Sequence, residues 1–491
     1  MRTTLIASAA CFLAMPCVAA PKLFPAAGAR NVNPDTQLVL TFAAPPKVGT
    51  SGRVQILDAA DNSVVDILDL SIPASPVPDG RPKSATGETK SPAPPKPAGP
   101  DNPDFQAVQV GGAWFHFFPV TAKGNAATIH PHNGALKYGR TYIVRLDPQV
   151  LTTADGQPLE ATKSWTFTTK AAPPKAGVDR VVVSADGKGD FSTVQGAIDF
   201  APQVSAKPLT IFIRNGDYQE IVYLKGKSNL TLRGESREGV VVHYPNNSAF
   251  NRIRPAFTVT EANDIQLSTF TIRNDFIGQA EALLLRGERN IVDRMTLNGS
   301  GDAFTTYGSI YMVDSTLTGD GDTILGYAAL YCLRCTIKSV GPFTWTRTPK
   351  GRHGNVFVDS KLIYVDKPLP WSITAANPEG RKTEGTFGRL PRNGPASSPM
   401  ANFPYAEFVL IDSKTDGVPP EGWGAVEDRA TFDWSNLRLF EFNTRDLAGK
   451  PIDLSKRHPA MRALTLPTDA QTVAEYRRPE FVLGGWKPVV R

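Results

Sequence analysis

Two aspartates stand out by type and spacing: Asp302 follows Gly301, Asp322 follows Gly321, and the two Gly-Asp steps lie 20 residues apart. Carboxyls held close together cannot both ionise cheaply, so repulsion raises one apparent pKa and leaves one acid beside one carboxylate. Such a pair suits covalent hydrolysis, in which a carboxylate attacks a carbonyl and its neighbour protonates the leaving group. Gln279 lies 23 residues before Asp302 and could extend the pair into a polar column. The plainer alternative is two solvated turn aspartates, and spacing alone does not separate the readings. Other hydrolytic machinery is poorly supplied: there is no G-x-S-x-G elbow, and the six histidines show no H-E-x-x-H spacing. The run ADGKGD from Ala185 to Asp190 matches neither glycine pattern that cradles phosphate and reads as a turn.

A column of this kind needs a repeating scaffold. Apolar runs ending in a polar corner recur at Leu267-Ser268, Val292-Asp293, Val313-Asp314, Leu333-Arg334, Val358-Asp359 and Ile411-Asp412. The corner positions are 25, 21, 20, 25 and 53 residues apart, the last gap holding an insertion at 365–404. A period of about 20–25 residues built from β-branched and aromatic runs marks a solenoid whose coils are short strands. The fold class expected is therefore all-β, with a right-handed parallel β-helix over residues 181–491. Residues one coil apart would then stack at about 4.8 Å, bringing Gln279, Asp302 and Asp322 together. An exposed solenoid end needs a cap, and residues 191–202 fit a helix: Ser192 and Gln195 as a capping box, Val194, Ala197, Ile198 and Ala201 on one face, Pro202 at the end.

Ahead of the repeat, residues 1–20 read as a cleaved export signal, with Arg2, the apolar run Leu5 to Met15, and small residues at Val18-Ala19-Ala20. Localisation is accordingly expected to be secreted or periplasmic, with no membrane span. Residues 21–170 alternate in short runs such as Trp114 to Phe118 and Tyr142 to Leu146, the pattern of an Ig-like β-sandwich. Within it, the Pro-rich stretch 78–104 is expected to be a disordered loop, and 171–180 a linker. The sandwich reads as a spacer or accessory module. A formal charge of +6 suits an acidic partner, outside the cytoplasm a polyanionic polysaccharide; no basic stripe supports nucleic acid. Of four cysteines, Cys332 and Cys335 remain after the signal, read as core thiols or one local bridge. No metal or other cofactor is called for, and a monomer is expected.

At this point the chain resembles a family. The segment from Val183 to Pro202 is similar to the opening motif of the pectin methylesterases, and Gly216 to Val222 and Asn229 to Glu235 to the next two. Gln279-Ala-Glu-Ala-Leu283 resembles the segment bearing the family's first oxyanion glutamine. Gly301-Asp302 falls at its Gln-Asp motif, and Gly321 to Gly326 at its Asp-Phe-Ile-Phe-Gly. Phe387-Gly-Arg-Leu390 is similar to Leu-Gly-Arg-Pro-Trp, Pro420 to Trp423 to the following Gly-Trp, and Phe481 to Pro488 to the closing segment. The resemblance implies an esterase that releases methanol from pectin or a related acidic plant polysaccharide. It implies Asp322 as nucleophile, Asp302 as acid and then base, Gln279 as oxyanion donor, and Arg389 orienting Asp322. Two departures bear on substrate: Gly301 replaces the second glutamine, and Pro391 the stacking tryptophan, for which Trp345 and Trp371 are the candidate substrate-binding substitutes. Restoring glutamine at 301 is expected to raise turnover. Competing readings are a non-catalytic polysaccharide-binding solenoid, a lyase or polygalacturonase, and an esterase for another acylated glycan or a thioester.

Overall fold

The computed structural model describes residues 20–74, 98–99, 102–159, 165–248, 250–276, 280–365, 385–388, 403–423 and 435–491. The export signal, most of the Pro-rich stretch and most of the 365–404 insertion lie outside the described residues.

From Arg180 onward the chain forms two parallel sheets, one of fifteen strands and one of eight among the described residues. Alternate side chains of each strand turn inward, and register stacks like on like. Leu232, Leu267, Val292, Met312, Cys332, Phe357 and Leu410 occupy matching places on successive coils and share one buried core. This is a parallel β-helix.

The corners have a common backbone. Thr269, Arg294, Asp314, Arg334, Asp359, Asp412 and Asn443 all sit at φ between 49 and 62°, the left-handed region that turns a strand sharply. The turning residue at the first two coils is thus one place later than the Ser268 and Asp293 read from sequence. Just inside the corner, Ser315, Cys335, Ser360 and Ser413 make a second ladder: Ser360 Oγ accepts from the Cys335 amide at 3.0 Å and Ser413 Oγ from the Ser360 amide at 3.1 Å. Cys332 and Cys335 are therefore buried free thiols belonging to two structural columns, not a bridge.

The cap helix α1 spans Val194–Phe200, with Thr193 rather than Ser192 as its N-cap: the Thr193 hydroxyl accepts from the Gly196 amide at 3.0 Å. Gln195 does not close a capping box. It donates to Asp199 at 2.8 Å, and its Oε1 accepts from the Tyr223 amide at 2.8 Å. The amides of Val194 and Gln195 are taken by Glu220, a buried carboxyl from the first coil, at 2.8 and 2.9 Å.

Along one side of the coils, α2 (Ala470–Tyr476) and α3 (Pro479–Val482) cover an outward apolar column of Ile291, Tyr311, Tyr331, Val356 and Val409. Their anchor is Glu407, fully buried, which accepts from the Gly354 amide at 2.6 Å, Arg438 at 3.0 Å and the Tyr476 hydroxyl.

Residues 22–169 build two facing sheets of four and five strands over a common core that includes Leu40, Ile56, Ile129, Val144, Trp165 and Phe167. These sheets are not packed apart from the β-helix. The same core takes in Ile221, Tyr223, Tyr244, Phe250 and Ala256 from the β-helix. Polar ties reinforce it. Asp35 accepts from the Ser192 and Thr193 amides at 2.9 and 2.8 Å, Asn33 donates to Ser192 Oγ at 3.0 Å, and Gln37 donates to the Gln219 carbonyl at 2.9 Å.

Candidate active site

Phe304 pairs with Ile324 and Leu283 with Phe304 on adjacent coils. Two residues upstream of each pair, Glu281, Asp302 and Asp322 therefore occupy equivalent places on three successive coils. The cross-coil bonds agree: Ala303 N donates to Thr323 O at 3.0 Å, Ala282 N to Ala303 O at 3.1 Å, and Asp320 N to Gly301 O at 3.2 Å. Asp302 and Asp322 are brought together as the spacing suggested, and both are buried, at 7% and 6% exposure. Both lie just before a strand, where the backbone leaves the regular ladder: Gly301 has φ +79°, Gly321 φ +148° and Asp322 φ +44°. Aspartate tolerates the left-handed turn at 322 better than most side chains; at the other step only Gly301 turns that way.

Among the described residues, the third member of the column is Glu281. Glu281 is 1% exposed, and burial pushes its carboxyl up to about 7, with the nearby Arg254 opposing that rise and Asp302 adding to it. Arg254 bridges the column: its Nε lies 2.5 Å from Glu281 Oε1 and its Nη2 3.1 Å from Asp302 Oδ2. Burial disfavours the Arg254 cation, but the two carboxylates outweigh it and hold its pKa above the usual arginine value.

The loop carrying Arg254 is fixed by buried asparagines. Asn246 Nδ2 donates to the carbonyls of Ile253 and Pro255 at 2.8 and 2.9 Å, while Asn274 Nδ2 donates to the Asn246 carbonyl at 2.6 Å and the Glu281 carbonyl at 2.9 Å. Asn251 grips the sandwich: its Nδ2 donates to the His116 carbonyl at 3.0 Å and its Oδ1 accepts from the His116 amide at 2.8 Å. Phe118 stacks on Phe250 at 5.0 Å beside it. The N-terminal unit therefore braces the loop from which Arg254 reaches Asp302.

Further along the same strands, Thr305, Leu325 and Trp345 form one outward column and Arg286, Tyr307 and Tyr327 the next. Tyr307 and Tyr327 stack at 4.7 Å with 6° between planes, and Arg286 lies 4.3 Å over Tyr307. Trp345 is half-buried, with the Arg347 guanidinium 3.4 Å from its ring centre, so one face is already covered. Gln279, Arg389 and Trp371, together with Pro391, lie outside the described residues. Phe387, from the motif that carries Arg389, and Trp423, from the motif after it, meet in the core at 6.1 Å.

Sequence reasoning missed Glu281, Arg254 and the tyrosine pair. Two had a signal: Glu281 precedes Asp302 by 21 residues and Tyr307 precedes Tyr327 by 20, both one coil. Arg254 had none, because it comes from a loop outside the repeat.

Residues 180–355 match the family model described as Pectinesterase. A probable pectinesterase of Arabidopsis thaliana (number 30) is 35% identical over 135 residues, covering 26% of this chain and 27% of that protein. Pectinesterase A of Dickeya chrysanthemi is 36% identical over 101 residues, 19% of this chain and 27% of the relative. The matched stretch spans about a quarter of the length of these curated relatives. In fold the chain is similar to pectin methylesterase from carrot, with a TM-score of 0.51 and 21% identity over 64% of this chain and 95% of that one. The chain carries a pectinesterase-family domain.

Proposed function

We propose that the protein hydrolyses methyl esters of pectin through Asp302 and Asp322. The observation that carries the reading is their equivalent placement on adjacent coils, buried and before a strand, inside the pectinesterase-family domain. In the proposed reaction the Asp322 carboxylate adds to the ester carbonyl carbon. The tetrahedral oxyanion collapses, the C–OCH3 bond breaks, and the departing oxygen takes a proton from Asp302 to leave as methanol. Asp302, now a carboxylate, takes a proton from water as that water adds to the acyl–Asp322 anhydride. Collapse returns Asp322 as carboxylate and releases the polymer acid.

The polymer would lie across the coils, its rings against the Tyr307–Tyr327 stack and its free carboxylates toward Arg286. Gln279 as oxyanion donor and Arg389 as orienting cation for Asp322 remain part of the proposal, as does Trp371 at the substrate. Trp345, with Arg347 over one face, supports the groove wall better than a free stacking platform. Secretion or periplasmic location fits a polymeric substrate; no helix among the described residues is long and apolar enough to cross a membrane. A second reading, an esterase for another acylated glycan, is favoured by one observation: Gly301 offers no side-chain donor beside Asp302. Methanol release from highly methylated pectin, measured for the full chain beside Asp322→Asn, tests the proposal. Release lost in the variant supports it, and a folded wild-type protein that releases no methanol rejects it.

A further inference from the structure

Three buried carboxyls on successive coils, about 4.8 Å apart by the strand spacing, form an arrangement that repulsion opposes. Among the described residues, Arg254 is the cation that answers them. Arg254 spreads one edge of its guanidinium over two carboxyls, Nε toward Glu281 at 2.5 Å and Nη2 toward Asp302 at 3.1 Å. Its backbone is locked by Asn246 and Asn274, so the fork is held in place before any ligand arrives. Glu281 is itself fixed, with its carbonyl held by Asn274 and the Ala256 amide. Beside them Gly301 contributes no side chain, and its φ of +79° disfavours one.

We infer that Arg254, anchored by Glu281, is a positioning residue for Asp302: it fixes the orientation of that carboxyl and favours its ionised form. The inference rests on the two-aspartate reading for its consequence in catalysis, though not for the ionisation itself. Among the described residues, the groups beside Asp302 are Arg254 from the loop, Glu281 from the preceding coil and Asp322 from the following one; Asp320 lies against Ser300, and Tyr307, on Asp302's own coil, acts on Arg254. Of these Arg254 alone is cationic among the described residues. A carboxyl acting as acid in the first step is lost as pH rises through its pKa, so Arg254 sets where the alkaline limb of kcat/KM falls. By holding Asp302 toward the anion it also favours the base needed in the second step.

The test uses the full chain and three variants: Arg254→Gln, Arg254→Lys and Asp302→Asn. The ionisation of Asp302 is read from carboxyl infrared bands as the difference between protein with and without Asp302, titrated from acid to neutral pH. Neutral glutamine should move the Asp302 transition up by about one pH unit or more; lysine, which keeps the cation, should leave it within about half a unit of wild type. The alkaline limb of methanol release should follow the same order, with kcat reduced at least tenfold in Arg254→Gln. An Asp302 transition unmoved in folded Arg254→Gln overturns the inference whatever the substrate proves to be. Loss of fold in Arg254→Gln passes the decision to Arg254→Lys, where a transition raised as far as a neutral residue would raise it also overturns it. Absence of methanol release in wild type, with the infrared shift present, rejects the esterase reading and leaves the positioning role standing.

Discussion

Removing the N-terminal unit should unfold the β-helix, not merely free it. The β-helix side of the shared core exposes Ile221, Tyr223, Tyr244, Phe250 and Ala256, all between 0% and 9% exposed in the whole chain. Full burial of a large apolar side chain stabilises by about 1.5–3 kcal/mol, so the four large ones represent roughly 6–12 kcal/mol if wholly uncovered. Even half of that is a large share of the roughly 5–15 kcal/mol that keeps a domain folded. The Ser192 and Thr193 amides also lose Asp35, and Asn251 loses the His116 backbone. A chain of residues 171–491 is therefore expected to be insoluble or to melt without cooperativity, measured by circular dichroism and thermal unfolding beside the full chain. A soluble fragment that melts cooperatively within a few degrees of the parent, with undiminished esterase activity, would refute the reasoning and support the sequence expectation of a spacer.

Other consequences are smaller. Burial raises Glu220 to about 7 from an ordinary 4.5, so the folded state binds its proton more tightly than the unfolded one. Its contribution to stability is greatest below pH ~4.5 and falls by ~3 kcal/mol as pH rises to ~7; Glu220→Gln should flatten that slope in chemical denaturation at several pH values. Gly301→Gln, which the family resemblance suggested would raise turnover, must place a side chain at φ +79°. It is expected to cost about 1–2 kcal/mol of stability and give no faster methanol release. Tyr307→Ala removes half of the 4.7 Å stack and should raise KM on pectin roughly three- to tenfold with little change in kcat. Tyr476→Phe deprives buried Glu407 of a donor and should lower unfolding free energy by about 1–3 kcal/mol, with activity per folded molecule retained.

The repeat was legible because its physics is local and periodic. A strand, a left-handed corner and another strand recur every 20–25 residues, and the apolar column from Leu267 to Phe357 follows the same count. Asp302 and Asp322 could be placed on one column by that count alone. The corner residue at the first two coils slipped by one because a Ser or Asp before a Thr or Arg looks like the turn itself, whereas the backbone turns at Thr269 and Arg294. The helix cap slipped for a related reason: Ser192, Thr193 and Gln195 are all eligible, and which one caps depends on Asp35 and Glu220 arriving from elsewhere.

What the sequence hid was supplied from outside the repeat. Periodicity says nothing about Arg254, which reaches the column from an irregular loop whose course is set by Asn246, Asn251 and Asn274. Nor could it say that a β-sandwich 135 residues earlier would hold that loop through the His116 backbone. Both features answer the same electrostatic problem. Stacking acidic positions coil upon coil is easy for a solenoid, since each coil repeats the last, but the stacked charges repel. The compensating cation must then come from a part of the chain that does not repeat, and it must be held firmly because its charge determines which carboxyl carries the proton. On this reasoning the N-terminal unit contributes to the chemistry through structure: it stabilises the loop, the loop orients Arg254, and Arg254 governs Asp302. A variant that loosens the brace without touching the column, Asn251→Ala, should accordingly lower kcat while leaving the pH of the Asp302 transition less sharply defined than in wild type. If Asn251→Ala keeps both the wild-type rate and the wild-type transition, the sandwich acts on stability alone.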